Sequence, residues 1–282
     1  MRDDGMRLKY ICAAAALLVP LIIYWAASAP GVTIVDSGEL ALAVHQWSIA
    51  HPPGFPLYTM VAHIWSRLPF ASTARAANLF SGLCAAAAAL LMWLAVVAWL
   101  EEWAPASRRR NVYLIALSVS LALGFTFVVW GFATTTEVYG LNQLCLAGAL
   151  WCCLRVRRGA RPQVWLLAAA AFLGCGMAVH HVTVILAIPG LLLLTAANPA
   201  ARKPIPLLIA GGTALAIATI LYATIPWRSG LHPLFNWGRA DDLQRLWWHL
   251  SGKQYRAFLA AGSPSALLAR AGRESIRLGS AL

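Results

Sequence analysis

From Tyr10 to Ile225 the sequence is a series of apolar runs, and the breaks between them alternate in kind. One kind is cationic: Arg108-Arg109-Arg110, then Arg155, Arg157, Arg158 and Arg161, then Arg202 and Lys203. The other carries histidine, acidic residues and threonine: the stretch after Ser28, the segment Thr134 to Tyr139, and His180-His181. A helix needs about 20 predominantly apolar residues to cross a bilayer, and loops rich in Lys and Arg stay on the cytoplasmic side. The pattern predicts an all-α, multi-pass integral membrane protein with its N-terminus inside. Composition agrees, with 60% hydrophobic and 11% charged residues, where a soluble domain carries about 25% charged. A net charge of +12 would suit nucleic acid if it lay on one face. Here it falls in short clusters between apolar runs, so nucleic acid is excluded as a partner and the lipid bilayer is expected instead.

The runs predict a bundle of about seven transmembrane helices: Tyr10 to Ser28, Ala74 to Leu100, Val112 to Gly131, Tyr139 to Leu154, Val164 to Val179, Val182 to Ala197 and Ile205 to Ile225. The small residues Ala26-Ala27-Ser28-Ala29 admit a cleaved leader as the competing reading of the first run; its length and the spans that follow favour an anchor. Residues 1–225 then form a transmembrane module with a first external loop at 29–73. Residues 226–256 form a second external loop and 257–282 a tail. All seven histidines (His45, His51, His63, His180, His181, His232 and His249) fall at or near the outer side, as do Asp36, Glu39 and Glu137. Ionisable groups are costly near a bilayer and mark sites where they converge, so the active face is expected outside.

Within the first loop, Asp36 to Ala50 and Pro56 to Leu68 read as short helices lying along the interface, with Leu40, Val44 and Trp47 on one apolar face. Between them, His51-Pro52-Pro53-Gly54-Phe55-Pro56 is a stiff turn, because proline fixes φ and keeps the preceding residue extended. Asp36-Ser37-Gly38-Glu39 has the form of an N-capping box, in which Asp36 accepts an amide and Glu39 reaches back to the cap. That reading stands beside a catalytic one. Likewise Thr136 is a candidate cap for a helix beginning at Glu137, His180-His181 suits a helix end, and Trp247-Trp248 suits an interface anchor. The six cysteines lie inside apolar runs without metal-ligand spacing. No disulfide, metal or cofactor is expected from them, and a divalent cation, though compatible with the acidic residues, is not indicated.

Asp36-Ser37-Gly38-Glu39, followed by His51-Pro52-Pro53-Gly54-Phe55-Pro56-Leu57-Tyr58 and Asn78-Leu79-Phe80-Ser81, resembles the membrane O-mannosyltransferase-like family. Glu137-Val138-Tyr139-Gly140-Leu141-Asn142 and Phe235-Asn236-Trp237-Gly238 fit the same resemblance, which covers about residues 8 to 258. That family is similar to the GT-C class of polytopic glycosyltransferases, which use polyprenyl-phosphate sugars. The resemblance implies a GT-C-like bundle with interfacial helices in the first external loop, and an acidic catalytic base in that loop. Asp36 takes that place, with Glu39 as its neighbour and alternative. Members of the family continue with further spans, whereas this chain stops at Leu282, which reads as a truncated member.

The expected activity is inverting transfer of mannose or another hexose from a polyprenyl-phosphate donor to a hydroxyl on a protein or glycan acceptor. Asp36 would take the hydroxyl proton. The departing lipid phosphate is already a stable anion and calls for cations, for which Arg228, Lys253 and Arg256 are candidates. His51, Glu137, Tyr139, Asn142, His180, His181, Trp237 and Tyr255 are expected to line the substrate pocket. A bacterial inner membrane, with the active face outside, is the expected location. The rival classes are a lipid or solute transporter or flippase, and a non-catalytic remnant serving as an assembly subunit. Against transport stand the lack of an obvious internal repeat and the scarcity of charge within the spans.

Overall fold

A computed structural model describes residues 2–256 apart from 71 and 160; the predicted tail at 257–282 lies outside the described residues. Among the described residues ten α-helices follow one another: α1 (Arg2–Ala27), α2 (Ser37–Gln46), α3 (Pro56–Trp65), α4 (Thr73–Leu100), α5 (Arg109–Gly124), α6 (Phe127–Thr134), α7 (Tyr139–Arg157), α8 (Pro162–Thr195), α9 (Pro204–Ser229) and α10 (Leu243–Leu250). Among the described residues there is no strand, only one parallel bridge between Ile49 and Asn236. The all-α membrane class read from the apolar runs is the architecture found.

Among the described residues, four helices are long and apolar enough to cross a membrane: α1 from Gly5, α4, α8 and α9. The pair α5 and α6, bent by 69°, makes a fifth if it is one span. About seven were expected, and the differences have local causes. The run from Val112 to Gly131 is not one helix. It breaks after Gly124, whose carbonyl accepts the Tyr24 hydroxyl of α1 at 2.5 Å, and Phe125 and Trp130 pack around that ring. α7 is diluted by Asn142, Gln143, Arg155 and Arg157 and stands outside the count.

α8 is formally one element of 34 residues but carries a non-helical residue, His180, at φ −152° and ψ 87°. Its two arms pack on each other. Ala169 and Leu191 share a buried cluster, although a straight helix would hold them about 33 Å apart. The Val184 side chain also lies against Gly176. The chain therefore doubles back at His180, where a turn was expected between two runs. Carbonyls released by such a break need donors. The Tyr222 hydroxyl donates to Met177 O at 2.8 Å and the Thr183 hydroxyl to His180 O at 2.9 Å.

Small residues let these helices approach closely, as membrane helices do. A Cβ built on Gly174 would sit 2.7 Å from the Ala214 carbonyl of α9. Gly174→Ala is therefore expected to cost about 1–3 kcal/mol by overpacking and to lower the thermal midpoint in detergent. An unchanged midpoint would mean that α8 and α9 are not in such close contact. At the end carrying the arginine clusters, Glu101 pairs with Arg158 at 2.9 Å and Glu102 with Arg157 at 2.7 Å. At the opposite end α2 and α3 lie over the bundle. Leu40, Val44, Phe55 and Tyr58 share one core cluster with Phe80 of α4, Leu141 of α7 and Val179 of α8.

Candidate active site

The segment between α1 and α4, expected as the first external loop, is tied down at several points. Arg75, at the start of α4, donates to the carbonyls of Ser28 and Ala29, which follow α1. Asn78, fully buried, donates to the carbonyls of Ala29 and Gly31 at 2.8 and 2.9 Å, and accepts from the Thr136 hydroxyl at 2.5 Å. Thr136 is thus not a helix cap; it ties the α6–α7 turn to the first loop, and the residue at the N-cap of α7 is Val138. The backbone of Glu137 is held to Ser81, the amide donating to the hydroxyl and the hydroxyl to the carbonyl, each at 3.1 Å. An asparagine and a serine inside an apolar run were the sequence signal for this clamp.

The expected capping box does not form. Asp36 occupies the N-cap position of α2 but makes no side-chain cap bond. Glu39 reaches instead across to the proline turn. One of its oxygens accepts the His51 backbone amide at 2.7 Å and the other meets His51 Nδ1 at 2.5 Å. Two bonds from a single carboxylate to one residue hold the turn better than a cap would, because both of its oxygens are satisfied. With Nδ1 facing Glu39, the other ring nitrogen is turned to Asp36, with 3.9 Å between Nε2 and Oδ2. The side chains differ in access: Glu39 and His51 are 18% and 15% exposed, Asp36 47%. Asp36 is the open carboxylate of the set.

The turn itself needs Gly54. Its φ is +89°, and a Cβ there would stand 2.9 Å from both His249 Nε2 and Ile225 Cδ1. Thus the segment after α9 packs directly behind the turn between α2 and α3. The Trp237 amide donates to Ile49 O at 3.2 Å and the Phe235 amide to Gln46 Oε1 at 2.9 Å. Trp237 stands edge-on to His51 with ring centroids 6.0 Å apart. A cavity of about 410 Å³ results, lined by Asp36, Glu39, His51, Trp237, Gln254 and Tyr255. Gln254, which the sequence reading missed, accepts from the Trp237 indole at 2.8 Å.

Electrostatics set these groups apart. Burial alone would lower the His51 pKa, but the hydrogen bond and charge of Glu39, with the charges of Asp36 and Glu137, outweigh it and raise the value above the usual imidazole range. Glu137 is pushed up to about 7, by burial first and then by Asp36, with His51 opposing. His249 is held down to about 4, chiefly by burial, and is neutral at ordinary pH.

Other residues singled out in the sequence lie elsewhere. Arg228 is 0% exposed; it donates to Thr59 Oγ1 at 2.9 Å and lies over the Trp47 ring. It joins α9 to the first loop and does not line the cavity. Lys253 sits over the Trp248 ring at 3.2 Å, and Arg256 is exposed at the end of the described residues. His180 marks the break in α8 and stacks near Tyr139 at 5.5 Å, His181 is 3.4 Å from the Tyr222 hydroxyl, and Asn142 pairs with Thr183. Asp36, Glu39 and His51 offer ligand atoms within 4.8 Å of one another, a spacing open to a cation, but Glu39 and His51 already spend those atoms on each other.

A family profile described as Protein O-mannosyl-transferase TMEM260 N-terminal domain matches residues 36–203. The chain is 27% identical over 235 residues to Protein O-mannosyl-transferase TMEM260 of Mus musculus, an alignment covering 81% of this chain and 32% of that protein. It is 27% identical over 139 residues to Protein O-mannosyl-transferase tmem260 of Dictyostelium discoideum, covering 48% of this chain and 16% of the other. The chain thus spans about a third or less of the length of these curated relatives. Among solved structures, the S. cerevisiae protein O-mannosyltransferase Pmt1-Pmt2 complex bound to the sugar donor aligns with a TM-score of 0.55 at 14% identity, over 84% of this chain and 34% of that one. That likeness is one of fold, and the fold is of the GT-C type.

Proposed function

The chain belongs to the family described as Protein O-mannosyl-transferase TMEM260 N-terminal domain, and from that premise we propose that it carries the catalytic centre of a membrane glycosyltransferase. The reaction is inverting transfer of mannose or another hexose from a polyprenyl-phosphate donor to a hydroxyl of a protein or glycan acceptor. One observation carries the assignment of the base. Of the two carboxylates at the start of α2, Glu39 is committed to His51 and Asp36 is free beside the cavity. Asp36 takes the proton of the acceptor hydroxyl, whose oxygen attacks the anomeric carbon. The bond from that carbon to the phosphate oxygen breaks, and the electron pair leaves on the lipid phosphate. No metal is invoked, since the leaving group departs as a stable anion.

The apolar cavity of about 530 Å³ between α4, α5, α7 and α8, lined by Ala88, Met92, Leu146 and Leu191 among others, suits the polyprenyl chain of such a donor. Residues 1–225 act as the membrane module and 226–256 as the loop that closes the site. The active face lies on the side opposite the arginine clusters. The two relatives named above are eukaryotic, so the bacterial inner membrane draws no support from them. The test is transfer of radiolabelled mannose from a polyprenyl phosphate to a hydroxyl-bearing peptide, with the chain reconstituted in liposomes. Labelled peptide is the expected product. Movement of the labelled lipid between leaflets without any labelled peptide would favour a flippase and overturn the assignment.

A further inference from the structure

We propose that the last turn of α9 is the positioning element of the site: Arg228 fixes the turn that carries His51, and the adjacent Ser229 fixes the facing wall through Asn236. The inference rests on the glycosyl-transfer reading above and adds to it residues that touch no substrate. Arg228 and Ser229 are both fully buried, and neither lines the cavity. Successive residues of a helix point about 100° apart, so one turn can serve two walls.

Arg228 holds the first wall on both sides of His51. Its Nη1 donates to Ser48 O at 3.4 Å, ahead of the turn, and to the Thr59 hydroxyl at 2.9 Å, beyond it on α3. That hydroxyl passes the tie on, sharing its proton between the carbonyls of Phe55 and Pro56 at 3.2 Å each. Phe55 in turn stands edge-on to His51, with ring centroids 4.9 Å apart. Stability does not account for an arginine here. Among the described residues no carboxylate pairs with it, and its Nε and Nη2 have no hydrogen-bond partner. A buried charge without a counter-ion costs free energy, and an apolar side chain of similar length would fill the space without that cost. What the guanidinium supplies is the placement of the turn.

Ser229 holds the second wall. Its hydroxyl donates to Asn236 Oδ1 at 3.1 Å, and Asn236 Nδ2 donates back to Ser229 O at 3.0 Å. Asn236 bridges to Ile49, and its neighbour Trp237 faces the cavity. The two walls differ in what they place. The turn sets His51 beside Asp36, at the reacting end, where a displacement of about 1 Å can cost 10²-fold in rate. Trp237 bears on binding, and a group that binds ground state and transition state alike changes KM and leaves kcat.

The experiment compares the parent with Arg228→Met, Thr59→Val and Asn236→Ala in liposomes, by amide hydrogen exchange and by transfer kinetics with polyprenyl-phosphate mannose and peptide. Arg228→Met should keep a thermal midpoint at or above that of the parent, speed exchange over residues 47–59, and lower kcat by about 10² with KM little changed. Thr59→Val cuts the same tie with the arginine in place and should lower kcat about tenfold; it decides alone should Arg228→Met fail to fold. Asn236→Ala should speed exchange over 234–238 and raise KM about tenfold with kcat kept. If Asn236→Ala shows the same exchange and kinetic pattern as the variants of the first wall, or if those variants keep the parental kcat, the inference is overturned while the proposed activity stands. A folded parent that transfers no sugar overturns the proposed activity, and this positioning role with it.

Discussion

Asp36→Asn should leave a folded, membrane-inserted protein whose transfer rate is lower by about 10²–10⁴, the usual contribution of a general base. Asn is as good a helix cap as Asp, so a capping role would predict no change. The geometry already argues against capping: the Asp36 side chain makes no cap bond and is the most open carboxylate of the cluster. Asn also matches Asp in size, so the cavity shape is kept and only the proton acceptor is lost. The rate should be read at saturating donor, because a loss confined to KM would point to binding and not to base catalysis. A variant that transfers sugar at the parental rate would remove Asp36 from the mechanism.

Glu39→Ala is expected to be almost as damaging, for a different reason. It leaves the His51 amide and Nδ1 without their acceptor, and a hydrogen bond to a charged group contributes about 1.5–3 kcal/mol. Both stability and activity should fall, since the turn that places His51 beside Asp36 loses its tie to α2. The pH dependence separates this from a general packing defect. The folded-state pKa of His51 is raised, so its pairing with Glu39 stabilises fully below the unfolded imidazole value and is lost as pH rises through the folded one. The parent protein should therefore lose thermal stability across that window, and Glu39→Gln, which cannot supply the charge, should show a flatter curve. Equal slopes in parent and variant would mean that the pair does not contribute to folding.

The break in α8 falls where the sequence placed a turn between two apolar runs, but the groups that hold it could not be read from the sequence. Apolar length and arginine clusters report which segments sit in lipid, because the cost of burying charge is a property of each residue. Whether a helix continues or folds back depends on donors supplied from elsewhere. His180 is a turn because Thr183 and Tyr222 take up carbonyls there. The α5–α6 bend likewise depends on a tyrosine of α1.

Arg228 carries the same lesson for the site. As an arginine in an external loop dense with aromatics, it reads as a phosphate ligand, yet it is buried against Trp47 and Thr59. A sequence shows the charge of a side chain, not the partner that encloses it. The sequence by itself determined the membrane class and singled out the stretch that holds Asp36, Glu39 and His51. Only the tertiary structure decided that Glu39 serves His51 and that Asp36 is left free. The reason is physical: hydropathy and charge act locally along the chain, whereas the role of a carboxylate depends on which donors are brought within about 3 Å of it. Here both donors to Glu39 belong to His51, in a turn that meets α2 only after folding.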